Sequence, residues 1–315
     1  MARLLIHAGI HRTGTTSLQR LMAANRAALA ERGVHYPGSG PHHQPLAWRL
    51  KNGKSDSADV EALLAEAPEG ALVVLSGEDF ATHRNLDWLK ALVAEHEVRV
   101  HFYLRRQDHW LNSWYNQHVK WPFDARKCQM APTEFLTTLN DYHWLDFDAL
   151  TRRWMDAAGD GNVTIAPVGK GQVDDVTADF LARIAIPPEA LVFEADRQNS
   201  SMPVQALEIA RCLGLYDMDG DARFRAVRAL GKALADKGPN TSMVFTPEER
   251  RAVLDRFVAS NAATAAQFLG QDTLFTEAEP ADDAPFYRFP EMSHEELLRE
   301  WIAPVVRTLV ERRKP

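Results

Sequence analysis

Two glycines, an arginine and a run of threonines follow the first apolar segment of the chain. Residues 7–17 read His-Ala-Gly-Ile-His-Arg-Thr-Gly-Thr-Thr-Ser, and apolar residues at helical spacing begin directly afterwards. A strand, a tight loop and a helix N-terminus make an anion site, because unpaired backbone N–H groups converge there and the helix dipole favours negative charge. The alternative is a turn that only caps the helix.

The glycine spacing indicates which anion this loop would take. Gly9 and Gly14 match the phosphate loop of nucleotide hydrolases, in which a lysine follows the second glycine. Thr15 stands in the place of that lysine, and Arg12 brings a cation two residues before Gly14 instead. We therefore expect a phosphate-holding loop without the triphosphate chemistry that uses magnesium.

A second basic segment follows another apolar run of the chain. Arg105 comes at the end of Val98–Leu104, and open parallel sheets bind ligands at the carboxyl ends of their strands. Ser113 lies eight residues further on, so a guanidinium fork and a hydroxyl are available for a phosphate. The alternative is a solvated pair, Arg105 and Arg106, at a helix start. A cation at a helix N-terminus opposes the helix dipole. An anion-binding role therefore explains the arginines at this position better than a solvated pair does.

The two segments together resemble those of the sulfotransferases that use 3′-phosphoadenosine 5′-phosphosulfate (PAPS). The stretch HRTGTTSLQ is similar to their 5′-phosphosulfate loop. The stretch LRRQDHWLNSWYNQ is similar to their 3′-phosphate segment, and Arg105, Ser113 and Tyr115 meet its spacing. The likeness covers residues 3–120 and is to bacterial members that act on carbohydrates or other small hydroxyl compounds. Arg12 stands where many members have lysine, although tyrosylprotein sulfotransferases have arginine there.

The resemblance implies a donor site for PAPS, with 3′-phosphoadenosine 5′-phosphate (PAP) and a sulfate ester as products. No HExxH or other metal-ligand spacing appears in the sequence, so no metal is expected. It implies that Arg12 also stabilises the transition state. Arg197 is expected in the cofactor site because bacterial members have a similar Arg/Asn/Ser loop there. The alternative is that this loop only caps a helix. The implied cofactor-binding residues are His11, Arg12, Thr13, Gly14, Thr15, Thr16, Ser17, Arg105, Ser113 and Arg197.

Sulfuryl transfer also needs a base for the acceptor hydroxyl. Glu78 follows the apolar run Leu72–Ser76 and resembles the carboxylate base of the carbohydrate and protein-tyrosine sulfotransferases. His42 and His43 are the second candidates, because the cytosolic phenol and steroid branch uses a histidine, and both are also expected on the substrate side. The alternatives are a solvated or helix-capping acid at Glu78 and an exposed histidine pair.

Alternating strands and helices must position these residues. Strands are predicted at Leu4–Ala8, Leu72–Ser76, Val98–Leu104 and Val163–Val168. Such alternation favours a parallel sheet with right-handed crossovers. Helices are predicted after the first loop and at Leu86–Glu95, Trp110–Val119, Thr133–Asn140, Asp174–Ile184, Val204–Leu213, Ala222–Lys237 and Pro247–Leu269. Thr246 with Glu249, and Ser293 with Glu296, predict capping boxes.

The predicted fold class is α/β, a three-layer phosphate-loop type with a parallel central sheet and a helix-rich C-terminal half. We expect one sulfotransferase domain over residues 1–315. It comprises a nucleotide-binding core at 1–170, a helical half at 171–275, a linker at 276–292 and a final helix at 293–313.

Composition limits the class of partner. The formal net charge is −7, so no global basic surface recruits nucleic acid. Two distant cysteines, no signal-like segment and no long apolar run favour a cytoplasmic protein without stable membrane insertion. The expected partner is a small-molecule, carbohydrate or lipid acceptor, and the oligomeric state stays open. A nucleotide kinase or hydrolase and a non-catalytic PAP-binding module are the alternative functions.

Overall fold

The computed structural model describes residues 1–121, 124–193, 202, 204–213, 217–235, 241–288 and 292–311. The chain divides into two compact units that alternate along the sequence. The first unit comprises Met1–Trp110, Tyr142–Arg197 and Asp255–Ala278. The second comprises Leu111–Asp141, Gln198–Leu254 and Glu279–Pro315.

A five-stranded parallel sheet organises the first unit. Its strands are β1 (Arg3–His7), β2 (Val34–His35), β3 (Leu72–Ser76), β4 (Glu97–Arg105) and β5 (Val163–Val168), in the order β2-β3-β1-β4-β5. Central β1 pairs with β3 on one side and with β4 on the other. The strand order therefore reverses beside β1, and in open parallel sheets the crevice at such a reversal binds ligands. The loop 8–14 leaves β1 at this position.

Helices cover both faces of the sheet. The first unit contains α1 (Thr15–Ala24), α2 (Arg26–Ala30), α3 (Gln44–Lys51), α4 (Ser57–Ala65), α5 (Asp87–Glu95), α8 (Phe147–Ala158), α9 (Val176–Arg183) and α13 (Val258–Leu269). On one face, Leu18 of α1 and Phe180 of α9 share a buried apolar cluster with Tyr103 of β4. On the other face, Trp154 of α8 packs edge-on against Phe102 of β4. The predicted three-layer α/β arrangement with a parallel sheet is confirmed.

The second unit is helical in the residues that are described. It contains α7 (Pro132–Phe135), α10 (Val204–Cys212), α11 (Gly220–Ala233), α12 (Pro247–Asp255), α14 (His294–Glu296), a π-helix (Leu297–Ile302) and α15 (Ala303–Glu311). Helix α6 (Gln107–Lys120) begins in the first unit and ends in the second. Both predicted capping boxes form, since Thr246 and Glu249 exchange backbone and side-chain hydrogen bonds, as do Ser293 and Glu296.

Several predicted helices have different bounds. The single helix predicted over Pro247–Leu269 is two helices, because buried Phe257 has a φ of −112° and leaves the helical conformation. No glycine or proline marks that break in the sequence. The segment predicted as one helix over Thr133–Asn140 is the short α7 followed by a 3₁₀ helix, Leu136–Asp141. The pattern also missed β2, α3, α4 and α8.

Candidate functional site

The loop after β1 turns sharply before α1 begins. Arg12 has a φ of 70° and Gly14 a φ of 84°, so two residues lie in the left-handed region on either side of Thr13. The hydroxyl of Thr13 donates to the carbonyl of Ile10 at 2.8 Å and closes the turn. Gly14 is the N-cap of α1 and has no side chain to bond the first N–H groups of the helix. The N-terminus of a helix attracts an anion through its first N–H groups and its dipole.

A cavity of about 950 Å³ opens beside this loop. From the loop and α1 it is lined by Arg12, Thr13, Gly14, Ser17 and Arg20, and from the end of β4 by Arg105 and Arg106. Arg105 donates from Nη1 to the carbonyl oxygen of Arg12 at 2.8 Å. Burial and the Arg12 charge lower the pKa of Arg105, as expected where two guanidinium groups share a half-buried site. The two sequence segments that predicted phosphate contacts thus meet at one cavity.

Glu78 lies at the first residue of a 3₁₀ helix, Glu78–Thr82, directly after β3. Thr15 donates its hydroxyl to Glu78 Oε1 at 2.5 Å. Nδ1 of His11 lies 3.1 Å from Glu78 Oε2, and its Nε2 lies 3.2 Å from Asp79 Oδ1. Thr15, which stands in the place of the hydrolase lysine, therefore bonds the carboxylate of Glu78 and holds this candidate base against the loop.

The charges of this cluster are strongly coupled. Burial opposes protonation of His11, but hydrogen bonds to Asp79 and Glu78 outweigh it and raise the pKa of His11 to about 9. Burial alone would raise the pKa of Glu78, but His11, Thr15 and Arg12 outweigh it and lower the pKa to about 2. At neutral pH the cluster is an imidazolium between two carboxylates.

The two other candidate bases differ from Glu78 in their surroundings. His43 is buried, with Nε2 3.0 Å from the Pro37 carbonyl and Nδ1 accepting from the Ser76 N–H at 3.0 Å. Burial lowers its pKa to about 4. Backbone groups therefore occupy both ring nitrogens of His43, whereas His42 is exposed. The geometry favours Glu78 over His43 as the base.

Sequence reasoning missed two residues that shape the site. Asp79 holds the second nitrogen of His11, and its position one residue after Glu78 at the carboxyl end of β3 was a usable signal. Arg106 is buried and bonds both oxygens of Asp108 and the carbonyls of Glu277 and Ala278. Arg106 therefore anchors a backbone segment at the wall of the cavity, which Arg105 also lines.

Ser113 and Tyr115 belong to the second unit, where the Tyr115 hydroxyl donates to Glu208 at 2.9 Å in the interior. Arg197 lies outside the described residues. The roles of Ser113 and Arg197 stay predictions. Of the remaining loop residues, Thr16 is exposed and does not line the cavity.

Known proteins share partial similarity with the chain. No protein-family model matches the chain. An uncharacterized protein of Archaeoglobus fulgidus is 26% identical over 189 residues, which cover 59% of this chain. The chain spans 49% of the length of that relative. The crystal structure of a sulfotransferase from Alicyclobacillus acidocaldarius superimposes with a TM-score of 0.45 at 15% identity, over 84% of this chain and 95% of the other.

Within the described ranges, no group of three or more His, Cys, Asp or Glu side chains is placed to hold a metal ion. In the same part of the chain, no helix has both the length and the apolar character needed to cross a membrane.

Proposed function

We propose that the protein is a PAPS-dependent sulfotransferase that acts on a hydroxyl of a carbohydrate, lipid or small molecule. One observation carries the proposal. Arg12 and Arg105 meet beside an open helix N-terminus at a cavity of about 950 Å³, while Thr15 replaces the hydrolase lysine and is turned to Glu78. This arrangement suits a donor with two separate anionic groups better than a magnesium-bound triphosphate.

The residues present fit such a donor. The N–H groups after Gly14, with Thr13 and Ser17 at the wall of the cavity, would hold the 5′-phosphosulfate. Arg105 would hold the 3′-phosphate. Arg12, which lines the cavity, would stabilise the negative charge that develops on the leaving phosphate.

The donor supplies a sulfuryl group for in-line transfer to the acceptor. A new S–O bond forms at the acceptor oxygen as the S–O bond to the 5′-phosphate breaks, and that phosphate keeps the electron pair. Glu78 receives the acceptor proton. The hydrogen bond from His11 helps to hold the pKa of Glu78 at about 2, so Glu78 is a weak base while that bond is in place. An incoming sulfonate competes for the His11 N–H groups, and loss of that hydrogen bond makes Glu78 more basic.

The experiment is a transfer assay with ³⁵S-labelled PAPS and a panel of hydroxyl acceptors. We expect label in at least one acceptor and stoichiometric PAP. A chain that binds PAP but labels no member of a broad panel would support the non-catalytic binding module instead. Phosphoryl transfer from ATP with magnesium would support the kinase alternative.

A further inference from the structure

Helix α15 carries a stripe of apolar side chains on its exposed side. Val306, Leu309 and Val310 are 51%, 41% and 61% exposed, and their spacing places them on one face of the helix. Val305 is buried, so the helix contacts the protein through its other side. A surface helix of a globular protein normally turns its apolar face to the core. An outward apolar face of this kind marks an interaction surface.

Positive charge lies beside this stripe. Arg307 is exposed and follows Val306 directly, and the sequence continues after α15 with Arg312, Arg313 and Lys314. Among the side chains that are described, no carboxylate lies within ion-pair distance of Arg307. The stripe therefore has a basic residue at its edge.

Helix α11 packs against α15 and has a basic outer face. Phe224, Arg225, Arg228 and Lys232 are exposed, and their positions in the helix place them on one side of it. The guanidinium carbon of Arg228 lies 5.7 Å from the centre of the Phe224 ring, which stacks on the Trp121 ring at 6.0 Å between centres. An aromatic ring and a cation are therefore held together on this face.

Two carboxylates lie at the start of α11. Asp219 is the N-cap and accepts hydrogen bonds from two backbone N–H groups of the first turn, and Asp221 is exposed. For Arg225, Arg228 and Lys232, the described residues provide no carboxylate within ion-pair distance. The outer face of α11 thus carries three cations and one exposed acid, which leaves it positively charged.

Charge and size decide between two occupants of this surface. A second copy of the chain would bring the same cations together across a twofold axis, which opposes association. The stripe is also short, because nine residues of helix span about 13 Å, whereas stable protein interfaces bury about 1,200–2,000 Å². The surface of an anionic lipid bilayer suits both features, because apolar side chains enter its acyl boundary and basic side chains contact its phosphates.

We propose that α11 and α15 bind the surface of an anionic lipid bilayer. The stripe of α15 enters the interfacial region, and Arg307 and the cations of α11 contact lipid phosphates. The inference goes beyond the proposed function and does not rest on it, because neither helix contributes to the cavity beside the β1–α1 loop.

Sedimentation of the full chain with lipid vesicles tests the inference. The vesicles contain phosphatidylcholine alone, or phosphatidylcholine mixed with phosphatidylglycerol, which is anionic. We expect binding to the mixed vesicles at low salt and binding at least about tenfold weaker to phosphatidylcholine alone. Binding to the mixed vesicles should fall as the salt concentration rises.

The variant V306Q/V310Q removes apolar surface from the stripe and should weaken binding to the mixed vesicles about tenfold. The matched control is W48Q/V258Q, which changes two apolar residues of the first unit that are 47% and 58% exposed. The control should leave binding within about twofold of the wild type.

A second pair of variants tests the charge. R225Q/K232Q should weaken binding about tenfold at low salt and much less at high salt. Its control, K90Q/R99Q, removes the same charge at exposed side chains of the first unit and should leave binding within about twofold. Thermal unfolding checks that each variant is folded, and the charge pair carries the test if V306Q/V310Q is not.

Failure to bind the mixed vesicles, equal binding to both kinds of vesicle, or equal losses in the variants and their controls overturns the inference. A dimer in analytical ultracentrifugation that V306Q/V310Q abolishes also overturns it, because a second copy then covers the stripe. Each of these results leaves the proposed function intact if PAP binds. Failure of PAP to bind removes the proposed function and leaves the binding of vesicles to be judged by itself.

Discussion

Glu78 is bonded on both carboxylate oxygens, by Thr15 on one and by His11 on the other. These contacts place the carboxylate at the loop and keep it ionised. An ionised carboxylate can accept a proton, but the same hydrogen bonds make it a weak base. The balance between holding Glu78 in position and keeping it basic is therefore set by His11.

Replacing the candidate base tests its role directly. Glu78→Gln keeps the shape of the side chain and an oxygen that can accept the Thr15 hydrogen bond, but it removes the carboxylate that accepts the proton. We expect the transfer rate kcat to fall about 10²–10⁴-fold while the Kd for PAP changes little. Steady-state assays and PAP titration measure the two quantities.

Asp79→Asn is the matched control, because Asp79 also bonds His11 but has no assigned part in proton removal. It should lower kcat much less than Glu78→Gln. Equal losses in the two variants would mean that Glu78 acts only by holding His11.

The raised pKa of His11 predicts a pH dependence of stability. Since its folded pKa of about 9 lies above the unfolded value of 6.5, its stabilisation is complete below pH 6.5 and is lost as the pH rises through 9. The difference in Tm between the wild type and His11→Gln should therefore shrink from pH 6 to pH 10. Substitution of exposed His42 by Gln should give no such trend. A constant difference for His11→Gln would show that the imidazolium does not stabilise the fold.

At the scale of elements, the β1–α1 loop depends on two left-handed residues. Gly14 adopts its φ of 84° without cost, but Arg12, at 70°, carries a β-carbon that disfavours this conformation. Gly9 matters for a different reason, because an added β-carbon would lie 2.6 Å from the Thr15 methyl group. The loop therefore keeps an arginine where a glycine would fit the backbone better, which is consistent with a functional need for its charge.

Two substitutions separate the backbone role of Arg12 from its charge. Arg12→Gly should be about 1 kcal/mol more stable to unfolding than Arg12→Ala, because only glycine adopts the left-handed conformation without the strain of a β-carbon. Both should weaken PAP binding to a similar extent. Denaturant unfolding and PAP titration measure these effects.

Arg20 supplies the control, since it lies inside α1 with helical backbone. There Arg20→Gly should be about 1 kcal/mol less stable than Arg20→Ala, the reverse order. The same order at both positions would contradict the account of the loop.

The sequence predicted four of the five strands and one edge of the site. Apolar runs located β1, β3, β4 and β5, whereas the two residues of β2 are too few to make a pattern. The rule that ligands bind at the carboxyl ends of parallel strands grouped Arg12, Glu78 and Arg105 correctly on one edge. The Thr15–Glu78 bond was not predictable, because it joins residues 63 positions apart through side-chain packing.

At the scale of the whole molecule, a chain with net charge −7 concentrates positive charge locally. The cavity is lined by five Arg or Lys side chains and three Asp or Glu side chains; these are Arg12, Arg20, Arg105, Arg106, Lys170, Asp174, Asp175 and Glu277. Such a concave, locally positive surface attracts an anionic ligand even though the overall field of the protein is negative.

The central claim is that this cavity binds PAP, and calorimetric titration tests it most directly. The account predicts one PAP bound per chain without magnesium, weaker binding of ATP with magnesium, and a loss of about tenfold or more in PAP affinity in Arg105→Ala. Failure of PAP to bind, or tighter binding of ATP with magnesium than of PAP, would contradict it.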